Sequence, residues 1–266
     1  MAYLLYCILN RPQDRELKTI TGVGDQPVLL VSTHGLSAAV SKSRDRIVAP
    51  ETTEVIAYKK VVETFHRGHT VIPMRFGCFL DNESQISRLL EDRHDQYKVL
   101  LRDLDGCVEM GIRMMIKTSR LPIPDWEGQS WQPGTGNPAP ETSGRAFLEA
   151  RRSYYKKENT VDEIMNKAAH RCQEAFSGVF AKYKKEGSRH GGFQSLSASQ
   201  NPILSLYFLV SRDGVASFCR VFRNAHWPKY TKLLLSGPWP PYNFVLPDHP
   251  GDLDFAHAIG GGTNGA

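Results

Sequence analysis

The chain has 266 residues, 41% hydrophobic and 23% charged, with a net charge of +5. That length suits one large domain or two small ones, and so mild a basic balance falls short of a nucleic-acid-binding composition. No apolar run approaches the ~20 residues that cross a bilayer, so no lipid-membrane role is expected.

The opening MAYLLYCILNRP lacks a basic n-region and a small-residue cleavage site, which favours the cytoplasm. Tyr3–Leu9 is a continuous apolar run that predicts a buried strand. Pro27–Thr33 and Leu36–Lys42, separated by His34-Gly35, predict a hairpin. Val55, Tyr58, Val61, Val62 and Phe65 then recur at helical spacing over Glu54–His66, with Thr52 or Thr53 as a cap and Gly68 as a stop. Thr70–Leu80 reads as a strand that Pro73 demotes to an edge or a bulge. Ile86, Leu89, Leu90, Tyr97, Leu100, Leu101 and Leu104 predict a helix or helix pair ended by Gly106. Cys107–Thr118 alternates apolar and polar residues as a half-buried strand does, placing Glu109 and Arg113 on the solvent face. The first 120 residues therefore predict an α+β layer with helices on one face of a mixed sheet.

Residues 121–143 are rich in Pro and Gly without periodicity, as a linker is. Residues 144–246 form the second predicted domain. Its long helical region opens at Gly144 and restarts at the capping box Thr160/Glu163. One apolar stripe then runs from Val161 through Phe176 and Phe180 to Tyr183, ended by EGSRHGG. Strands over Pro202–Ser211 and Tyr230–Leu235 flank a short helix over Val215–Arg223. Residues 247–266, rich in Gly and Asp, read as a flexible tail.

Motifs for chemistry are sparse. The five cysteines lack a CxxC pair and read as free thiols, with Cys7, Cys107 and Cys172 serving as small hydrophobes. Glu63, His66 and His69 straddle a helix end, where Gly68 spoils a common face for a metal. GTGNP lies in a loop rather than between strand and helix, and no P-loop or Gly-x-Ser-x-Gly occurs. No catalytic residue, cofactor site or metal site is expected, and the chain does not read as an enzyme. The basic cluster Arg145–Lys157 reads as a solvated helix face.

Two stretches have no such plain account. In IPMRFGCF, Pro73 interrupts pairing, Arg75 sits between apolar Met74 and Phe76, and Gly77 permits a backbone closed to other residues. In SGPWPPYNFV, Pro238, Pro240 and Pro241 stiffen a segment that carries Trp239 and Tyr242. Pro73, Arg75, Phe76, Gly77, Gly237, Pro238, Trp239, Pro240, Pro241 and Tyr242 are thus the candidate structural or partner-binding residues. After Leu235 the second segment is expected to leave its sheet and cross an end of the C-terminal domain, with Trp239 packed as a clip.

IPMRFG after an amphipathic helix, SGRAFLEARR from Ser143, and above all SGPWPPYNFV make the chain resemble the GvpF/GvpL family of gas vesicle proteins. The resemblance runs from YLLYCIL to Val245. Ile72 and Met74 depart from the residues usual there, and the tail after Leu246 lies outside it. The resemblance implies an N-terminal modified ferredoxin-like α+β domain and a C-terminal α+β domain. It also implies a non-enzymatic, gas-vesicle-associated accessory protein that binds the hydrophobic shell protein GvpA and assists assembly. The alternative is a scaffold that recruits other accessory proteins without touching the shell protein.

Overall fold

The computed structural model describes residues 2–12, 20–43, 52–117, 162–187 and 203–245. The expected linker 121–143, the helical region from Gly144 to the Thr160 cap, and the tail 247–266 lie outside them. The described chain is a mixed α/β protein with two antiparallel sheets and five helices. It divides into two compact units, Met1–Glu109 joined by the chain from Pro238 on, and Met110–Gly237. The N-terminal unit thus includes the aromatic segment from Pro238 on, which the sequence reading had grouped with residues 144–246.

In the first unit, strands β1 (Ala2–Asn10), β2 (Val28–Thr33), β3 (Leu36–Ser43), β4 (Val71–Pro73) and β5 (Phe79–Leu80) form one sheet. Its order is β2-β3-β1-β4, with β5 pairing β1, and these pairings are antiparallel rather than mixed. His34 and Gly35 both take positive φ at the β2–β3 corner, the geometry a tight hairpin needs. Pro73 closes β4 at the sheet's edge, where its missing N–H costs no ladder bond. The expected strand Thr70–Leu80 is therefore two short strands around a turn.

The register of β1 against β3 shifts between Leu5 and Cys7, a bulge that re-aims side chains. Leu4 before it, Tyr6 at it, and Cys7 and Leu9 after it all enter the cluster formed with Tyr58, Val61, Val62 and Phe65 of α1 (Thr52–Gly68). Tyr3, on the opposite face from Leu4, donates its hydroxyl to Glu83 Oε1 at 2.8 Å, at the start of α2 (Glu83–Asp92). Helices therefore cover both faces of the sheet, not one, which is why β1 is buried along its length up to Leu9. The next helix, α3 (His94–Asp103), follows α2 directly, and Gly106 at φ +64° turns the chain into β6 (Cys107–Ile116).

The second sheet has the order β7-β8-β6-β9, with β7 (Lys182–Gly187), β8 (Ile203–Ser211) and β9 (Thr231–Trp239). The fourth helix, α4, is described over 162–175, and α5 spans Val215–Asn224. The predicted helix through Tyr183 stops sooner: Gly178 takes φ +82° just past α4, and Tyr183 lies in β7. The aromatic stripe still converges. Phe176 stacks on Phe218 at 4.3 Å, while Phe208 receives Phe176, Phe180, Tyr183 and Phe218 at 5.1–5.3 Å. These rings are the core of the second unit.

Candidate functional site

The first unexplained stretch, and the second from Pro238 on, belong to one place, the part of the first unit built around Tyr58 of α1. At the β1 bulge the ladder is held from outside: Met74 N–H donates to the Tyr6 carbonyl and Leu5 N–H to the Cys78 carbonyl, each at 2.9 Å. Between these bonds the arch Met74–Cys78 rises from the sheet. Gly77 turns it at φ +88°, a conformation that suits glycine.

Into this arch the Tyr58 hydroxyl inserts. It lies 3.0 Å from the Leu5 carbonyl, 3.2 Å from that of Tyr6, 2.9 Å from that of Met74 and 3.2 Å from that of Arg75. One proton faces four acceptors, so a single buried side chain gathers the carbonyls of the bulge and of the arch around one donor. Burial raises its ionisation well above the ordinary tyrosine value. Phe76 meets the Tyr58 ring edge-on at 5.3 Å, and Tyr6 lies tilted against it at 5.0 Å.

The aromatic segment closes on the same cluster. Its strand does not end at Leu235: β9 continues through Ser236, Gly237, Pro238 and Trp239. An outer strand of the sheet tolerates Pro238, and Gly237 bends the strand at φ +114°. Trp239 is half-buried rather than packed inside, and Lys59 Nζ sits 4.1 Å above its ring. Pro240 and Pro241 are buried, and Tyr242 packs against the cluster of Tyr58, Cys7 and Phe65. Burial, then Cys7, Glu63 and Glu109, raise the Tyr242 phenol's ionisation. From Pro238 on the segment thus belongs to the N-terminal unit, whereas it was expected to cross an end of the C-terminal domain.

What anchors it is Glu109 of β6. The strand pattern assigned this carboxylate to solvent, yet it is only 4% exposed. Asn243 N–H donates to Glu109 Oε2 at 2.8 Å and Asn243 Nδ2 to Oε1 at 2.7 Å. A buried carboxylate needs such donors, and charge-assisted bonds of this kind are the strong ones. Arg113, by contrast, is exposed as expected.

Of the sequence-selected residues, Pro73, Phe76, Pro240, Pro241 and Tyr242 are brought into or against this core. Arg75 is exposed and contributes its carbonyl, so no carboxylate partner is needed for its charge. Gly77 is exposed on the arch, and Gly237 and Pro238 are exposed within β9. Sequence reading missed Tyr58, Lys59, Glu109 and Asn243 as site residues. The one available signal was that a tyrosine on a buried helix face must find an acceptor.

Burial pushes the Cys78 thiol up to about 11 and raises Cys7 as well. At neutral pH both thiols are therefore held protonated. Glu63, His66 and His69 do not converge: Glu63 faces Lys59 at 3.5 Å, His66 is buried and His69 exposed. Among the described residues no helix is long and apolar enough to cross a membrane.

Comparison with known proteins agrees over nearly the whole chain. The model of the family described as gas vesicle synthesis protein GvpL/GvpF matches residues 2–246. Gas vesicle protein F of a Streptomyces species is 26% identical over 256 residues, covering 92% of this chain and all of that protein. Gas vesicle protein L of the same organism is 26% identical over 196 residues, 71% of this chain and 67% of its own length. The crystal structure of GvpF from Anabaena superposes with a TM-score of 0.70 at 15% identity, covering 93% of this chain and 97% of that one. GvpF from Microcystis aeruginosa gives 0.67, also at 15% identity, over 92% and 99%. These two structures share the fold.

Proposed function

The chain belongs to the GvpL/GvpF family of gas vesicle synthesis proteins, and we propose that it is a non-enzymatic cytoplasmic accessory protein that binds the shell protein GvpA and assists its assembly. The observation that carries this reading is the family match over residues 2–246, which includes both stretches for which composition gave no plain account. Physical reasoning supports it. A wall that excludes liquid water requires a subunit with a strongly apolar face, and before assembly that face is an aggregation hazard. A partner with open sheet edges and exposed apolar side chains can cover it in the interim. Among the described residues β2 and β9 are edge strands, with Leu29 41% and Leu234 62% exposed.

Of the sequence-selected residues reachable from solvent, Trp239 and Pro238 present apolar ring surface and are the candidates for partner contact. The others act by holding the arch and the segment in shape. Binding through apolar and strand-edge contacts depends little on salt, whereas a contact made by basic side chains weakens steeply with it. The test is capture of purified GvpA alone by the purified chain, at low and at moderate salt. Capture that persists at moderate salt supports direct binding. Capture that appears only when other accessory proteins are added would favour the scaffold alternative.

A further inference from the structure

We infer that Pro240–Val245 is a releasable strap, latched by Glu109 and Asn243, whose opening uncovers the Tyr58–Cys7 strip of the N-terminal core. This stands independently of what the protein binds. The strap's own backbone bonds are internal: Tyr242 N–H donates to the Pro240 carbonyl and Phe244 N–H to that of Pro241. Pro240 and Pro241 have no N–H to give. Among the described residues, both hydrogen bonds that tie Pro241–Val245 to the rest of the chain come from Asn243, and both end on one carboxylate. The β9 ladder ends at Trp239, so the strap can lift without breaking either sheet.

What remains is packing and one outer tether. Tyr242 is half-buried against the cluster that contains Tyr58 and Cys7, and Phe244 is buried. Lys59, 44% exposed along its side chain, covers Trp239 at the strap's root. Segments held by few contacts and no ladder open at lower free energy than the units that carry them. The buried Glu109 charge sets the bias towards closure, because lifting Asn243 removes two donors from a desolvated carboxylate.

The latch has a reciprocal form that tests it. Asn243→Asp places a carboxylate against Glu109 and opens the strap by repulsion. Adding Glu109→Gln restores the pair: the new amide oxygen accepts the residue-243 N–H, and its NH₂ donates to Asp. Full-length proteins are labelled with a maleimide at neutral pH, and each cysteine is followed by mass spectrometry. Cys7 is fully buried in the first unit, and Cys172, fully buried in the second, is the reference. The inference predicts at least tenfold faster Cys7 labelling in Asn243→Asp, unchanged Cys172, and a return towards the parent rate in the double variant. Should Asn243→Asp not fold, Asn243→Ala, which keeps the backbone bond, is expected to give a smaller rise confined to Cys7. Unchanged Cys7 labelling, a parallel rise at Cys172, or failure of the double variant to recover overturns the inference.

Discussion

Tyr58→Phe removes one oxygen and no ring, so it isolates the four-carbonyl contact. The parent hydroxyl lies 2.9–3.2 Å from the carbonyls of Leu5, Tyr6, Met74 and Arg75. Tyr6 keeps an N–H donor from Met74 after the change. The carbonyls of Leu5, Met74 and Arg75 lose the Tyr58 proton, and those not reached by water bear a desolvation penalty. A buried group stripped of its partner costs about 1–3 kcal/mol, and under-satisfied carbonyls lie towards the lower end. The expected loss is about 1.5–2 kcal/mol. Urea denaturation followed by fluorescence measures it as a lower midpoint at unchanged slope. Tyr97→Phe is the matched control in the same unit: its hydroxyl is buried and finds no partner among the described residues. Removing it should be neutral or stabilise by up to about 1 kcal/mol. A Tyr58→Phe protein within 0.5 kcal/mol of the parent, a difference of the size seen for surface changes, would refute the reasoning. So would a Tyr97→Phe protein that loses as much as Tyr58→Phe.

Three further outcomes are expected. Phe176→Ala, at the centre of the second unit's stacked rings, should cost about 3–5 kcal/mol by calorimetry or denaturant, as full-core aromatic truncations do. Trp239→Ala should cost only about 1–2 kcal/mol, because the ring is half-buried and a cation–π contact at such a site contributes roughly 0.5–1 kcal/mol; a loss as large as that of Phe176→Ala would show a packing role the geometry does not support. Stability should fall with rising alkalinity. Burial holds the Cys78 thiol up to about 11, against an ordinary 9.0. The stabilisation is thus full below pH ~9 and is lost as the unfolded chain binds fewer protons between about 9 and 11. Replacing Cys78 with Ala should flatten that part of a melting-temperature profile.

Elements that rest on local periodicity were legible. The apolar run of β1, the His34-Gly35 corner, the α1 face and the β8 run all follow from spacing and turn chemistry over a few residues. The end of α4 was not, because Phe176, Phe180 and Tyr183 kept helical spacing across Ser177-Gly178. Their rings meet Phe208 from a turn, a loop and a strand instead. Continuation of β9 through Pro238 was hidden for a related reason, since proline excludes only inner ladder positions and sequence does not say which strand lies outermost. In the candidate site, Gly77 and the aromatic segment announced themselves by composition. Glu109 could not: its neighbours alternate as on a solvated face, and its partner Asn243 is 134 residues away. Arg75 misled in the opposite sense, because an apolar neighbourhood in sequence became an exposed position on the arch.

The central claim, direct engagement of the shell protein, is tested most directly by mixing denatured GvpA into buffer with and without the purified chain and measuring soluble GvpA after centrifugation. Direct engagement predicts that GvpA stays in solution in proportion to added chain and co-elutes with it on gel filtration at both low and moderate salt. GvpA that pellets equally with and without the chain, and never co-elutes, would contradict the account.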